Sequence, residues 1–249
     1  MKINRAIVSS DENQLYVQFW PIVAKAWTLL GIKPTLFLIS NDMKVDETIG
    51  DVIRVKPVDG ISTSLQAQCV RLLAPTRFPD EVSITSDIDM MPLNHKYFIE
   101  LIKNIDDDAF VIFSSDAYEN ILNFPCFPMC YNAALGSVFY DVFGFTMNEY
   151  DEVMKKWNLL NHGWTTDERV LYSSLSTWSN YGKHSVNLRR GFSPFAAGRI
   201  DRACMKFDNN VMMKNGYIDF HMPRPYDKNK KFIDHVFEYF KISRKIYNE

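Results

Sequence analysis

Asp87 and Asp89 close the apolar run Val82-Ser83-Ile84-Thr85-Ser86, with Ile88 between them. On an extended strand that spacing sets both carboxylates on one face and turns Ile88 towards the core. Pro92 has no N–H to give and is expected to stop the ladder there. Two carboxylates side by side at a strand end repel each other. They are tolerable mainly where a divalent cation sits between them and something anionic. A surface turn with two solvated acids is the bland alternative, because an isolated Asp-x-Asp is a common pair.

The elements that would position this pair alternate along the first half of the chain. Residues 5–10, 35–40, 51–56, 82–86 and 109–114 read as strands. Helices are expected between them over 11–30, 64–73 and 95–105, the first kinked or starting late at Pro21 and ending at Gly31. Strands alternating with helices imply an α/β fold with a mostly parallel, Rossmann-like sheet covered on both faces. In such sheets ligands bind beyond the carboxyl ends of the strands. That rule puts Ser9, Ser10, Asp11, Asp87 and Asp89 on one rim.

The second half is less regular. Phe124–Met129 is a two-proline loop, Tyr131–Leu135 is extended, and Ser137–Phe143 and Asn148–Leu160 read as helices. Thr165 and Thr166 are expected to cap a helix running from Asp167 to about Leu175. Short strands follow near 186–188 and 217–220. The last segment, 230–247, reads as a helix carrying Phe232, Ile233, Val236, Phe237, Phe240 and Ile246.

Composition narrows the classes. The chain has 249 residues, 14% aromatics and a formal net charge of −2, so no global field favours nucleic acid and none is expected as a partner. No apolar stretch is long enough to span a bilayer, and the start lacks the apolar segment of a signal peptide. Cys69, Cys126, Cys130 and Cys204 complete no zinc set; they read as reduced thiols of a cytoplasmic protein.

Several segments together resemble one family type, the GT-A glycosyltransferases, which move a sugar from a nucleotide diphosphate to an acceptor. The motifs are a Ser-terminated first strand, Arg71 on the helix before Asp87-Ile88-Asp89, the extended Tyr131-Asn132-Ala133-Ala134, the helix start Trp164-Thr165-Thr166-Asp167-Glu168, and the late Asp219-Phe220-His221-Met222-Pro223-Arg224-Pro225. The likeness covers roughly residues 5–225 and is greatest to small metal-dependent enzymes of bacterial and large-virus glycan synthesis, the retaining galactosyltransferases among them. Two departures stand out. The late segment has only Arg224 where those enzymes carry a glycine and a lysine, and Ala134 replaces a glycine.

The resemblance implies a single GT-A domain over 1–249: a nucleotide-binding half (1–115), a donor-sugar and acceptor half (116–225) and a helical extension (226–249). It implies a UDP-sugar donor and a glycan acceptor. Asp89 and His221 would ligate Mn²⁺ or Mg²⁺, and Asp87 would reach the metal through water or contact the ribose. The imidazole nitrogen tilts the choice towards Mn²⁺. Ser9, Ser10, Asp11, Arg71, Asp87, Asn132, Ala133, Trp164 and Arg224 would contact the nucleotide or donor sugar. Asp167 and Glu168 would lie beside the reacting carbon, as a general base in an inverting enzyme or a charge stabiliser in a retaining one, with retention favoured.

Other readings compete. Acids at a helix start are favourable for the macrodipole without any chemistry. A phosphatase of the Asp-x-Asp type normally carries Thr or Val where Met91 stands, and a nucleotidyltransferase would show a glycine-rich loop where Ser9-Ser10-Asp11-Glu12-Asn13 has none. A non-catalytic sugar-binding module stays open. The terminal helix, with Lys228, Lys230, Lys231, Lys241, Arg244 and Lys245 around its aromatic stripe, suits either packing against the sheet or peripheral contact with an anionic membrane.

Overall fold

The computed structural model describes residues 1–190 and 198–247. In chain order its strands are β1 (Arg5–Asp11), β2 (Lys33–Ile39), β3 (Asp51–Val55), β4 (Val82–Thr85), β5 (Met90–Pro92), β6 (Phe110–Phe113), β7 (Asn132–Leu135), β8 (Ser185–Leu188), β9 (Gly198–Ile200) and β10 (Tyr217–His221). The α-helices are α1 (Gln14–Val17), α2 (Trp20–Leu29), α3 (Thr63–Leu73), α4 (Gly136–Phe143), α5 (Tyr150–Asn158), α6 (Thr166–Thr177), α7 (Tyr181–His184), α8 (Asn209–Met213) and α9 (Tyr226–Tyr247).

Among the described residues, a seven-stranded sheet has the order β3-β2-β1-β4-β7-β6-β8. All neighbours pair in parallel except β7, which runs antiparallel to both β4 and β6. The buried strands β1 and β2 alternate their side chains between two cores. Ala6, Val8, Leu36 and Leu38 face the layer that includes α2 and α9. Ile7, Phe37 and Ile39 face the layer of α3, α4, α5 and α6. This is the mixed α/β, GT-A-like architecture expected of the sequence.

The chain leaves the large sheet at the acidic pair. β4 stops at Thr85, and Ile88 and Asp89 lie in a turn closed by Met90 N–H donating to the Asp87 carbonyl at 3.2 Å. The extended geometry expected for Asp87 and Asp89 is therefore replaced by a turn, although Ile88 is buried in the core as expected. Nor does Pro92 stop a ladder. β5 pairs antiparallel with β10, opposing Pro92 to Asp219, and Leu93 N–H continues to the Ile218 carbonyl at 2.9 Å. A second sheet, β5-β10-β9, thus grows directly from the acidic turn and brings His221 beside it.

Pro21 lies in the first turn of α2, so the first helix is two pieces with a late second start. The stretch expected as a helix over 95–105 is one π-helical turn, Lys96–Glu100, in which consecutive Tyr97 and Phe98 are both buried. Thr165 occupies the cap position of α6 but its side chain makes no capping bond. Its hydroxyl donates to the His162 carbonyl at 3.1 Å, and that of Thr166 donates to Gly163 at 2.8 Å, so both brace the preceding turn. The terminal helix begins at Tyr226, earlier than expected. Its Ile233, Val236, Phe237 and Phe240 are buried in the core, which consumes the stripe that a membrane contact would need; Arg244, expected on the basic face, is buried as well. The Ile246 side chain lies outside the described residues. No helix among the described residues is long and apolar enough to cross a membrane, and all four cysteines are free thiols.

Candidate active site

A cavity of 580 Å³ opens at the carboxyl ends of β1 and β4, where the parallel-sheet rule places a ligand. Helix α3 supplies one wall. Its Ser64, Ala67, Gln68 and Arg71 follow the i, i+3, i+4, i+7 spacing of a single helical face, and all four line the cavity.

Arg71 is the hub. It is only 5% exposed. One guanidinium nitrogen donates to Asp87 Oδ1 and to the Ser86 carbonyl, and the other donates to Asp167 Oδ2 at 2.9 Å. Residues from α3, the turn after β4 and the first turn of α6 are thereby tied together. The second oxygen of Asp167 accepts the Glu168 N–H at 3.0 Å, so both its carboxylate oxygens are engaged.

Burial pushes the Asp167 carboxyl up to about 6 against the pull of the Arg71 charge, and the neighbouring Asp87 adds to the rise. Asp87 goes the other way. Desolvation opposes its ionisation, but the charge and hydrogen bond of Arg71 outweigh this and hold it below the usual carboxylate range. Glu168 is pushed up to about 7, first by burial, and accepts a hydrogen bond from the Tyr118 hydroxyl at 2.5 Å. The tyrosine is raised in turn by desolvation and by the Glu168 charge. Two carboxyls that change protonation near neutrality therefore face one cavity.

Asp89 is the centre of a looser group. Its Oδ2 lies 3.2 Å from Arg202 Nη1, 3.6 Å from His221 Nε2 and 3.8 Å from Arg224 Nε. Arg224 is braced from behind by Tyr16, whose hydroxyl it donates to and whose ring lies 4.5 Å from its guanidinium carbon. His221 Nδ1 faces Asp201 at 3.6 Å. Asp219, in the same late segment, is turned away and paired with Arg199 at 2.7 Å.

Ser9, Ser10, Asp11, Arg71, Asp87, Asp89, Trp164, Asp167, Glu168, His221 and Arg224 all line this one cavity. The serine hydroxyls are spent locally, on the Ala67 and Asp11 carbonyls, while Asp11 binds Thr63 Oγ1 at 2.9 Å and so joins β1 to α3. Two expected donor contacts fall elsewhere. Ala133 is fully buried in the sheet core, and Asn132 donates to the Pro128 and Met129 carbonyls at 2.9 and 3.2 Å. Asn132 thus shapes the loop that presents Met129 to the cavity; neither Asn132 nor Ala133 lines it. The sequence reading missed Tyr16, Gln68, Tyr118 and Arg202, which do. Arg202 could have been suspected only from the density of basic residues after Arg189, whereas Tyr118 sits in an irregular loop with no pattern to betray it.

The site also allows a test for a divalent cation. Among the described residues, no three carboxylate, imidazole or thiol side chains come together as a ligand group. Asp89 and His221 do face each other within the cavity, and Asp87 has one oxygen not held by Arg71. The residues fit a cation bound by an oxygen and a nitrogen whose shell is completed by ligand oxygens and water.

Neither a protein-family model nor a curated protein sequence matches the chain. Its fold does match solved structures. The galactosyltransferase LgtC, solved with donor and acceptor sugar analogues, aligns at a TM-score of 0.51 and 11% identity over 95% of both chains. An active-site mutant of LgtC aligns at 0.53 and 12% over 94% of both. The bifunctional glycosyltransferase WbbM aligns at 0.50 and 11%, over 99% of this chain and 51% of that one. The chain therefore has the fold of these glycosyltransferases.

Proposed function

We propose that the chain is a glycosyltransferase that moves a sugar from a nucleotide diphosphate donor, a UDP-sugar, to a hydroxyl of a glycan acceptor. The observation that carries this reading is the Asp87–Arg71–Asp167 bridge across a charged cavity at the carboxyl rim of a GT-A-like sheet. In the reaction the bond between the anomeric carbon and the phosphate oxygen breaks, one to the acceptor oxygen forms, and the acceptor hydroxyl gives up its proton. Arg224 and Arg202 are cations near enough to meet the diphosphate, and a guanidinium fork suits phosphate oxygens. Asp87, fixed by Arg71, is set to accept a ribose hydroxyl. Asp89 and His221 would hold Mn²⁺ or Mg²⁺, which when bound neutralises charge on the departing diphosphate.

Asp167 has both oxygens occupied by donors, which suits a fixed negative charge steadying a cationic anomeric centre better than a base that must collect a proton. This favours retention of configuration over inversion. The test is release of UDP from a panel of UDP-sugars, alongside calorimetric titration of UDP with Mn²⁺ and with EDTA. The expected result is turnover of at least one donor and much weaker UDP binding in EDTA. Equal affinity in both conditions would sink the metal assignment, and absence of turnover or binding for every donor would sink the transferase reading. Comparing the anomeric configuration of product and donor by NMR decides the stereochemistry.

A further inference from the structure

Beside the charged cavity lies a second depression, of 220 Å³. Ser64 and Gln68 of α3 form one side, Asn158, Asn161 and His162 at the end of α5 form the other, and Trp164 stands at the seam. Ser64, Gln68 and Trp164 line both depressions, so the two adjoin across these side chains.

Their chemistry differs sharply. Among the described residues, the cavity holds three arginines and five carboxylates. The side groove is lined by amides, hydroxyls, an imidazole, an indole and the aliphatic Leu65, with no carboxylate, lysine or arginine among the described residues that form it. Desolvation and the nearby Arg169 lower the basicity of His162, which disfavours a positive charge on it. Trp164 is 64% exposed, an uncommon position for a large aromatic residue. The backbone that carries it is fixed: Gln68 Nε2 donates to the Trp164 carbonyl at 2.9 Å, and the two threonine hydroxyls brace the turn. Asn161 and Gly163 adopt left-handed backbone at φ of 51° and 61°, which gives the turn a shape no regular helix would have.

We propose that this groove is the acceptor subsite and that it takes a neutral saccharide, stacked on Trp164 and hydrogen-bonded through the amides of Asn158 and Asn161. The assignment deepens the transferase reading and rests on it. An indole face matches the C–H face of a pyranose ring, while each amide offers both a donor and an acceptor to neighbouring ring hydroxyls. The lining itself offers a carboxylated or phosphorylated sugar no charged group to pair with. Because the groove adjoins the cavity at Trp164, a sugar held there lies beside the cavity that Asp167 lines.

Saturation-transfer NMR of the full chain against neutral methyl glycosides (gluco, galacto, manno, xylo, rhamno and N-acetylglucosaminyl) tests this, with methyl glucuronoside and glucose 6-phosphate as charged probes. The variants are Trp164→Ala and Asn158→Ala/His162→Ala; the second pair lines only the groove. Expected is binding of at least one neutral glycoside that persists with UDP present and weakens about tenfold or more in both variants. UDP affinity should stay within about threefold in the double variant. Binding only of the charged probes, neutral binding indifferent to both variants, or displacement of the glycoside by UDP would each overturn the proposal. A different pattern separates the two readings. Glycoside binding that depends on Trp164 without any donor turnover would leave the groove standing and the transferase reading wrong. Donor turnover with no glycoside binding would do the reverse.

Discussion

Two carboxylates with a single residue between them in the sequence live in very different surroundings. The Asp87 carboxylate is clamped by Arg71, which is nearly inaccessible and also holds the buried Asp167. Asp89 meets two arginines and the His221 imidazole at 3.2–3.8 Å, and Arg202, the nearest, is 35% exposed. The first arrangement is rigid, since Arg71 and Asp167 are buried and bonded to each other, although one Asp87 oxygen stays free towards the cavity. The second is open, because long, half-solvated side chains can re-aim at an arriving anion at little cost. In the proposed transferase, such a site would set the donor against a rigid side while a compliant side gathers charge around it.

Breaking the rigid side should have the largest effect. Arg71→Met leaves Asp167 buried without its counter-charge, and the expected loss is about 3–5 kcal/mol of unfolding free energy. Urea denaturation near pH 8 checks this, and a loss below about 1 kcal/mol would mean that the bridge does not hold the fold. Asp167→Asn keeps the shape but removes the charge. Turnover should drop at least about a hundredfold with UDP affinity unchanged. Retained turnover would reduce Asp167 to a helix-start residue.

Acidity sharpens the contrast further. Asp167 and Glu168 titrate at about 6 and about 7 in the folded chain, above their ordinary 3.8 and 4.5. The folded state therefore holds these protons more tightly than the unfolded one. Their contribution to stability is full below the ordinary values and is lost as pH rises through 6 and then 7, by roughly 1 kcal/mol per pH unit per group. Asp87 runs oppositely: its stabilisation is present above its ordinary value and disappears on acidification. Unfolding free energy measured from about pH 4 to about pH 8 should fall across the first window, and Asp167→Asn should remove the lower step. A flat profile would show that Asp167 is not desolvated. The smallest structural effect belongs to the open side. Arg202→Ala should cost under about 1 kcal/mol of stability yet weaken UDP roughly tenfold by calorimetry. A stability loss as large as that of Arg71→Met would erase the distinction between the two sides.

Much of this was written locally. Apolar runs located β1, β2, β3, β4 and β6, the helix starting near Asp167 was legible from its polar entry, and the apolar spacing after residue 230 announced α9. The acidic pair, Arg71 and His221 could be named before any geometry was known. The three-residue strands β5 and β9 could not, because so few residues carry no periodicity and are defined only by pairing with β10. The antiparallel β7 shows the same limit: its segment reads as extended either way, and direction is fixed by its neighbours.

What the sequence determined by itself is therefore the inventory: an α/β chain with acids, arginines and a late histidine at element ends, where alternation and helix spacing put them. What only the tertiary structure decided is who faces whom. Ala133 went into the core and Asn132 onto loop carbonyls, Asp219 turned to Arg199, and Arg202 came in from a part of the chain with no recognisable motif. Propensity and periodicity act over a few residues. A buried charge finds its partner through desolvation, and that penalty is met by whichever opposite charge the packed elements bring near, 96 positions away in the case of Arg71 and Asp167.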